Sequence, residues 1–430
     1  MKAIIATGFG KLHFHETARA LAIAGVDVNF LTGWVPKDKQ TALVEVLGKF
    51  LGEKHLATRM AARKIGIPGV SVTPVAWVEV VGTLIKLVQR SRVIPLDLAY
   101  GMEFRVAAWG SRKYLKDADV LLVRSGAGQS GAIRKARANG LAIVTDHSIA
   151  HPAFMHLALR EEFARIGMSA GYDSRADLWK LVLRDCADAD LLMVNSDFVK
   201  KTFVEQGYPA DKVRVAYLGV REEFFDLKRE YRINGPVRLL LTGNFDVRKG
   251  VRILLEAVRY CRRSGLDLRL ELIGNLGNGA SCLQPGDDIF FTHTAFAPLK
   301  QVAAAIADAD LFVLPTFAEG SSRSAMEAAA AGLPIITTEN CGLPLEQGKS
   351  AIYIPANDCD ALAEAISRAS ADQGLREQIG RNAMRLVTEK YTWLHYGQKV
   401  AGYFNEAVEL TGAAPKADLK LIQESDLELR

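Results

Sequence analysis

Short apolar runs recur along the chain, each closed by glycine, serine, threonine or aspartate, and alternate with longer amphipathic stretches. Lys2 to Thr7, Val26 to Leu31, Leu141 to Thr145, Val213 to Ala216, Val237 to Thr242, Leu268 to Ile273, Leu311 to Leu314, Ile335 to Thr338 and Ala351 to Ile354 read as strands. Their apolar positions are continuous rather than alternating, as in parallel sheets covered on both faces. Between them, Ala18 to Ala24, Val251 to Tyr260, Pro298 to Ala307, Asp358 to Arg368, Leu375 to Thr388 and Trp393 to Val408 carry helical periodicity. One phrase occurs three times, starting at Asp117, Asp188 and Asp308: Asp-Ala-Asp followed by a buried run. Two copies precede Leu218 and one follows Pro236, which predicts two parallel α/β sheets.

The charged, turn-rich segment from Arg221 to Asn234 separates the two sets of strands. The expected organisation is a first domain at 1–221, a second at 222–390, a last helix at 391–412 and a polar tail at 413–430. The 430-residue length also requires more than one core. From Thr41 to Lys113 the pattern is less regular, mixing apolar stretches with Lys86, Arg90, Arg92, Arg105, Arg112 and Lys113. Helices with solvated basic faces are the plainer reading there; an interfacial surface for a lipid-linked or anionic acceptor is the functional one.

Composition adds exclusions. The formal charge of +5 is too weak to argue for nucleic acid. Five scattered cysteines without a C-x-x-C argue against a disulfide framework or zinc site and for reduced thiols. The N-terminus lacks a signal-peptide pattern and no apolar stretch reaches the ~20 residues of a membrane span. Cytoplasm is the expected location, with peripheral contact at the inner face of a membrane left open.

Candidate chemistry concentrates at strand ends. After Leu311–Leu314 comes the small loop Glu319-Gly320-Ser321-Ser322-Arg323, then an alanine-rich helix closed by Gly332. A strand, a tight loop and a helix N-terminus form an anion site, because the first helical N–H groups lack partners and the dipole is positive there. Glu319 and Glu327 bracket it, about 12 Å apart if the stretch is mostly helical. A nucleoside-diphosphate sugar, with hydroxyls on both sides of its phosphates, suits that spacing. Adjacent Arg248 and Lys249 lie on the loop after Val237–Thr242, placed to meet phosphate charge. The first loop, Gly8-Phe9-Gly10-Lys11, is an incomplete dinucleotide fingerprint with no acidic residue after the second strand, which disfavours a nicotinamide cofactor. Two of the chain's eight histidines, His147 and His151, follow a single strand end.

These residues together resemble the retaining nucleotide-sugar glycosyltransferases of group 1, with the GT-B fold of two Rossmann-like parallel-sheet domains facing across a cleft. The Glu, seven residues, Glu spacing is met by Glu319 and Glu327, and a G-x-x-x-x-x-K-G loop by Gly243, Lys249 and Gly250. The segment from Asn195 to Val220 is similar to the family's approach to its interdomain linker. The resemblance implies a hexosyltransferase-type enzyme of polysaccharide biosynthesis that retains configuration. Its partners would be a nucleotide-sugar donor and a glycan or lipid-linked acceptor, with no metal or other cofactor.

The resemblance also assigns roles. Lys249 would neutralise the diphosphate, Glu327 would accept from the ribose hydroxyls, and Glu319 would contact the donor sugar. The amides near Ser321 and Ser322 would hold phosphate or sugar. Gly8 and Gly10 would approach the diphosphate or acceptor, and His147 or His151 would meet the sugar. Where the family has arginine after the loop glycine this chain has Asn244, leaving Arg248 or Arg323 to supply the second positive charge. An epimerase or inverting transferase on the same architecture stays open, as does a non-catalytic nucleotide-sugar binder.

Overall fold

The computed structural model describes residues 1–8, 12–37, 40–50, 60, 63–91 and 93–412. The expected tail at 413–430 and Gly10 lie outside them. The first sheet holds β1 (Lys2–Ala6), β2 (Asp27–Thr32), β3 (Val70–Pro74), β4 (Val120–Arg124), β5 (Ala142–His147), β6 (Leu191–Val194) and β7 (Val213–Val215). All its pairings are parallel, in the order β3-β2-β1-β4-β5-β6-β7. Helices of this half used below are α1 (Phe14–Ile23), α2 (Ala76–Arg90), α3 (Leu96–Ser111) and α4 (Pro152–Arg165).

The second sheet holds β8 (Val237–Thr242), β9 (Leu268–Ile273), β10 (Phe291–Thr294), β11 (Leu311–Leu314), β12 (Ile335–Thr337) and β13 (Ile352–Tyr353). Its order, β10-β9-β8-β11-β12-β13, is again parallel throughout. With it go α5 (Val251–Arg263), α6 (Arg323–Ala330) and α7 (Trp393–Leu410). Both sheets reverse strand order beside their first strand, at β1/β4 and β8/β11. Ligands of open parallel sheets sit in the crevice at such a point.

The recurring Asp-Ala-Asp phrase has a structural reason. Its second aspartate accepts a hydrogen bond from one of the first two amides of the neighbouring strand: Asp119 from Lys2 at 2.8 Å, Asp190 from Ile143 at 2.7 Å, Asp310 from Arg238 at 2.8 Å. An amide at the start of a strand that faces past the end of its neighbour needs a partner from outside the ladder, and the aspartate supplies it.

Two elements cross between the halves. The helix α4 lies in the first half of the sequence, yet Met155, Leu159 and Phe163 pack in the core of the second sheet. Glu162 also takes Arg252 of α5 in a paired contact of 2.7 and 2.8 Å. Conversely α7 packs Tyr396, Val400 and Phe404 among Phe14, Ala18 and Leu21 of α1. The strands of chain meet at a parallel bridge between Val220 and Thr392. The irregular region contains β3, which its sequence pattern did not suggest, and, among the described residues, a helix at Thr41–Phe50 as well as α2 and α3. Among the described residues no helix is long and apolar enough to cross a membrane.

Candidate active site

A cleft of about 700 Å³ opens between the two sheets, lined from both halves. Its second-half wall comes from the loops after β8, β9, β10 and β11, all at strand carboxyl ends. Its first-half wall includes Leu12 and His13 after β1, Ser148 after β5 and Asn195 after β6. Of the residues singled out from the sequence, Gly243, Asn244, Arg248, Lys249, Glu319, Ser321, Ser322, Arg323 and Glu327 all line it.

The loop after β8 is a single 3₁₀ turn at Val247–Lys249, capped by Asp246, whose side chain accepts from the Lys249 amide at 3.2 Å. This turn folds the Lys249 side chain back over the strand end, where its ammonium donates to the Thr242 carbonyl at 3.3 Å. Gly243 has φ +107, and a Cβ there would stand 2.7 Å from Lys249 Nζ. Glycine is favoured here by its backbone angle, and a side chain would also displace the lysine ammonium from the strand end.

Arg248 turns the other way. Its Nη1 lies 2.8 Å from Glu319 Oε1 and donates to the Ala318 carbonyl at 2.7 Å, with Asp246 3.8 Å from Nη2. Burial pulls the guanidinium pKa down, but Glu319 and Asp246 more than offset it, and the net shift is upward. Arg248 lines the cleft with its charge already committed to two carboxylates.

Ser322 caps α6, its Oγ accepting from the Ala325 amide at 3.4 Å, while its own amide donates to the Cys341 carbonyl at 3.2 Å. In this conformation the Ser322 amide is thus not offered to a phosphate. One turn on, burial raises the Glu327 carboxyl to about 7, opposed by the nearby charges of Arg323 and Arg221.

The histidines are arranged differently from the sequence expectation. His147 ends β5 fully buried, sharing a 2.9 Å hydrogen bond with Ser125 Oγ and packed edge-on against Phe203. His151 is the N-cap of α4, its Nδ1 accepting from the Ala153 amide at 3.2 Å. Burial lowers both to about 4, so each is neutral near pH 7. Neither lines the cleft. His13 does, with Nε2 2.9 Å from the Asp146 carboxylate. The expectation about which histidine faces the cleft is corrected here: parallel-strand geometry turns His147 into the core and presents the residue before α1 instead. The available signal was the place of His13 on the first strand–helix loop.

Gly8 does not line the cleft; a Cβ on it would lie 3.2 Å from the Phe104 ring, so it packs on α3. Gly320 stands at the interdomain seam. A Cβ on it would fall 2.0 Å from the Ser148 carbonyl oxygen and 2.6 Å from Asn195 Nδ2. Its own carbonyl accepts from Ser196 Oγ.

Two further observations mark the cleft as built for a ligand. Asn195 Oδ1 and Thr242 Oγ1 belong to cleft residues and are buried without a hydrogen-bond partner, a costly state unless something else supplies one. Phe296, at the lip, is 83% exposed and offers a ring face. Among the described residues no cluster of His, Cys, Asp or Glu is arranged to hold a metal ion.

Comparison with known proteins bears on this geometry. Residues 11–224 match the profile described as Glycosyltransferase Family 4, and residues 236–372 that of Glycosyl transferases group 1. The amylovoran biosynthesis glycosyltransferase of Erwinia amylovora is 29% identical over 196 residues, 43% of this chain and 48% of that protein. A capsular polysaccharide biosynthesis glycosyltransferase of Staphylococcus aureus is 26% identical over 225 residues, 48% of this chain and 58% of that one. The chain thus spans about half the length of the curated relatives it matches. Among solved structures, sucrose-phosphate synthase from Thermosynechococcus elongatus superposes with TM-score 0.68 at 16% identity, covering 94% of this chain and 98% of that one. An Anabaena protein solved with UDP gives TM-score 0.57 at 14% identity, covering 94% and 100%. The fold is GT-B.

Proposed function

We propose that this chain, a GT-B glycosyltransferase family member by the match of its two halves, moves a sugar from a nucleoside-diphosphate donor to a glycan acceptor. The observation that carries the reading is the convergence of Lys249, the α6 N-terminus, Glu319 and Glu327 on one interdomain cleft. In the reaction the bond from the anomeric carbon to the diphosphate oxygen breaks, a bond to an acceptor hydroxyl forms, and the proton of that hydroxyl passes to the departing diphosphate. Charge develops on the leaving diphosphate, and Lys249 with the positive end of α6 stabilises it. Glu327 accepts from the ribose hydroxyls and Glu319, held by Arg248, orients the donor sugar. Phe296 offers a face to the base. The small distance between the two walls at Gly320 excludes water, which would otherwise compete with the acceptor.

Retention of configuration is our first reading, following the motifs around Lys249 and Glu327. One observation favours an inverting alternative: the His13–Asp146 pair at 2.9 Å lines the cleft as an imidazole oriented by a carboxylate, the arrangement of a general base. The polysaccharide assignments of the relatives support a glycan acceptor, and the UDP-bound neighbour makes uridine the first base to try. The test is incubation with a panel of UDP-, GDP- and ADP-sugars and a glycan acceptor, with the product's anomeric configuration read by NMR. Transfer with the donor's configuration kept supports the first reading, and inversion supports the second. Nucleotide binding without turnover on any acceptor points to a binder.

A further inference from the structure

The helices α2 and α3 form an antiparallel hairpin. Trp77 and Trp109 meet edge to face at 5.2 Å near its base, and Lys86 lies 3.6 Å from Glu103 further along. The α2 helix turns Val78, Gly82 and Ile85 inward. At about 100° per residue, Trp77, Val80, Leu84, Leu87 and Val88 fall on a second, separate stripe. That stripe faces water, with these side chains 38–59% exposed. Val93, Leu96 and Tyr100 continue it around the turn, Val93 at 74%. Among the described residues, eleven of the 23 exposed large apolar side chains fall within 77–109, so the patch is concentrated, not scattered.

The base of the hairpin is basic. A depression of about 730 Å³ is lined by both tryptophans together with Arg112, Lys113, Arg134 and Lys135, and by no carboxylate. The Arg112 guanidinium lies 5.3 Å from the Trp109 ring centre. Apolar side chains, tryptophans and cations thus lie close together, with Lys86 and Arg90 exposed beside the apolar stripe. Such side chains together in one exposed region are the composition of a segment lying in a membrane interface.

The geometry points to docking of this hairpin on an anionic phospholipid bilayer, with the apolar stripe of α2 inserted and the Arg112/Lys135 depression against lipid phosphates. Four cations without a carboxylate make a net positive surface that complements the negative potential of an anionic bilayer. The inner side of the same hairpin packs next to the first-half wall: Phe104 of α3 stands 3.2 Å from where a Gly8 Cβ would be, four residues before Leu12 of the cleft. A docked hairpin therefore holds the first-half wall of the cleft close to the membrane surface.

Vesicle flotation of the full chain, without nucleotide sugar, tests this independently of any transferase activity. The probes are phosphatidylcholine vesicles with and without phosphatidylglycerol. The expected result is binding to the anionic vesicles only, weakened by high salt. Leu84→Asp with Leu87→Asp should weaken binding roughly tenfold or more, since apolar insertion and charge attraction add. Lys113→Glu with Lys135→Glu should do the same. All four positions are outside the core, and unchanged far-ultraviolet circular dichroism and Tm confirm the fold. No binding to anionic vesicles overturns the proposal, as does binding that survives both double variants. Self-association abolished by Leu84→Asp, with no vesicle binding, identifies a second copy as the occupant and also overturns it.

Discussion

Arg248 Nη1 and Glu319 Oε1 stand 2.8 Å apart, joining the loop after β8 to the loop after β11 across the switch point of the second sheet. Both side chains are largely shielded, at 17% and 15% exposure, so neither charge is easily left alone. Glu319→Ala should cost on the order of 3 kcal/mol of stability by stranding the arginine. Glu319→Gln keeps a partner for Arg248 and should cost less stability while still lowering kcat. Chemical denaturation beside single-turnover kinetics separates the two effects.

Lys249 is the cation placed to meet the leaving diphosphate. Lys249→Ala should lower kcat/KM by about 100-fold to 1000-fold, the range for loss of one charge-stabilising group. Activity should persist in EDTA if the lysine and the α6 terminus carry this charge. A stopped-assay series with and without chelator, on wild type and variant, checks both outcomes.

Glu327 has its carboxyl raised to about 7 by burial, against an ordinary value of 4.5. Between these values the folded protein holds a proton that the unfolded chain releases. Its contribution to stability therefore falls as pH rises from about 4.5 to 7 and is level above that. Glu327→Gln removes the dependence, so the stability difference between wild type and variant should drift against wild type across that window. Nucleoside-diphosphate affinity should run oppositely, strengthening in wild type as pH rises through 7, because the ionised carboxylate accepts more strongly from ribose. Urea melts and calorimetric titration at matched pH values read the two trends.

Gly320 leaves no room for a side chain against Ser148 and Asn195. Gly320→Ala should push the two walls apart and lower kcat by about 100-fold, as a misplacement on the order of 1 Å does, with nucleotide binding nearly intact. Small-angle scattering should show a more open particle. An unchanged kcat would mean the seam is not part of the productive state.

His13 and His151 should separate cleanly. His13→Ala should reduce turnover by about 100-fold if the imidazole moves the acceptor proton. His151→Ala should leave turnover unchanged and cost about 1 kcal/mol, the value of an N-cap. Steady-state kinetics and thermal melts on both variants decide this.

Much of the architecture is readable from local pattern. Leu311–Leu314 followed by Glu319 to Ser322 and an alanine helix is a strand, loop and helix within one short stretch, and it folds as one. The Gly243–Gly250 loop is equally local, since a strand end, a capping aspartate and a lysine three residues on act through neighbouring backbone groups. The two parallel sheets follow from unalternating apolar runs joined by helices, and the GT-B fold is what those sheets build.

What depended on distant contacts was hidden. Nothing in the run Pro152–Arg165 says that Met155 and Phe163 pack on the second sheet, because periodicity reveals an apolar face but not the surface that covers it. The Asp-Ala-Asp phrases show their recurrence in sequence, but that Asp119 serves Lys2 is a matter of which strand lies alongside. His147 and His13 divide in the same way. Sequence places both on loops or strand ends; both rings are buried, and long-range packing sets His13 on the cleft wall while Phe203 closes over His147. Local spacing determines which groups are available; long-range packing decides which of them face the cleft and which become core.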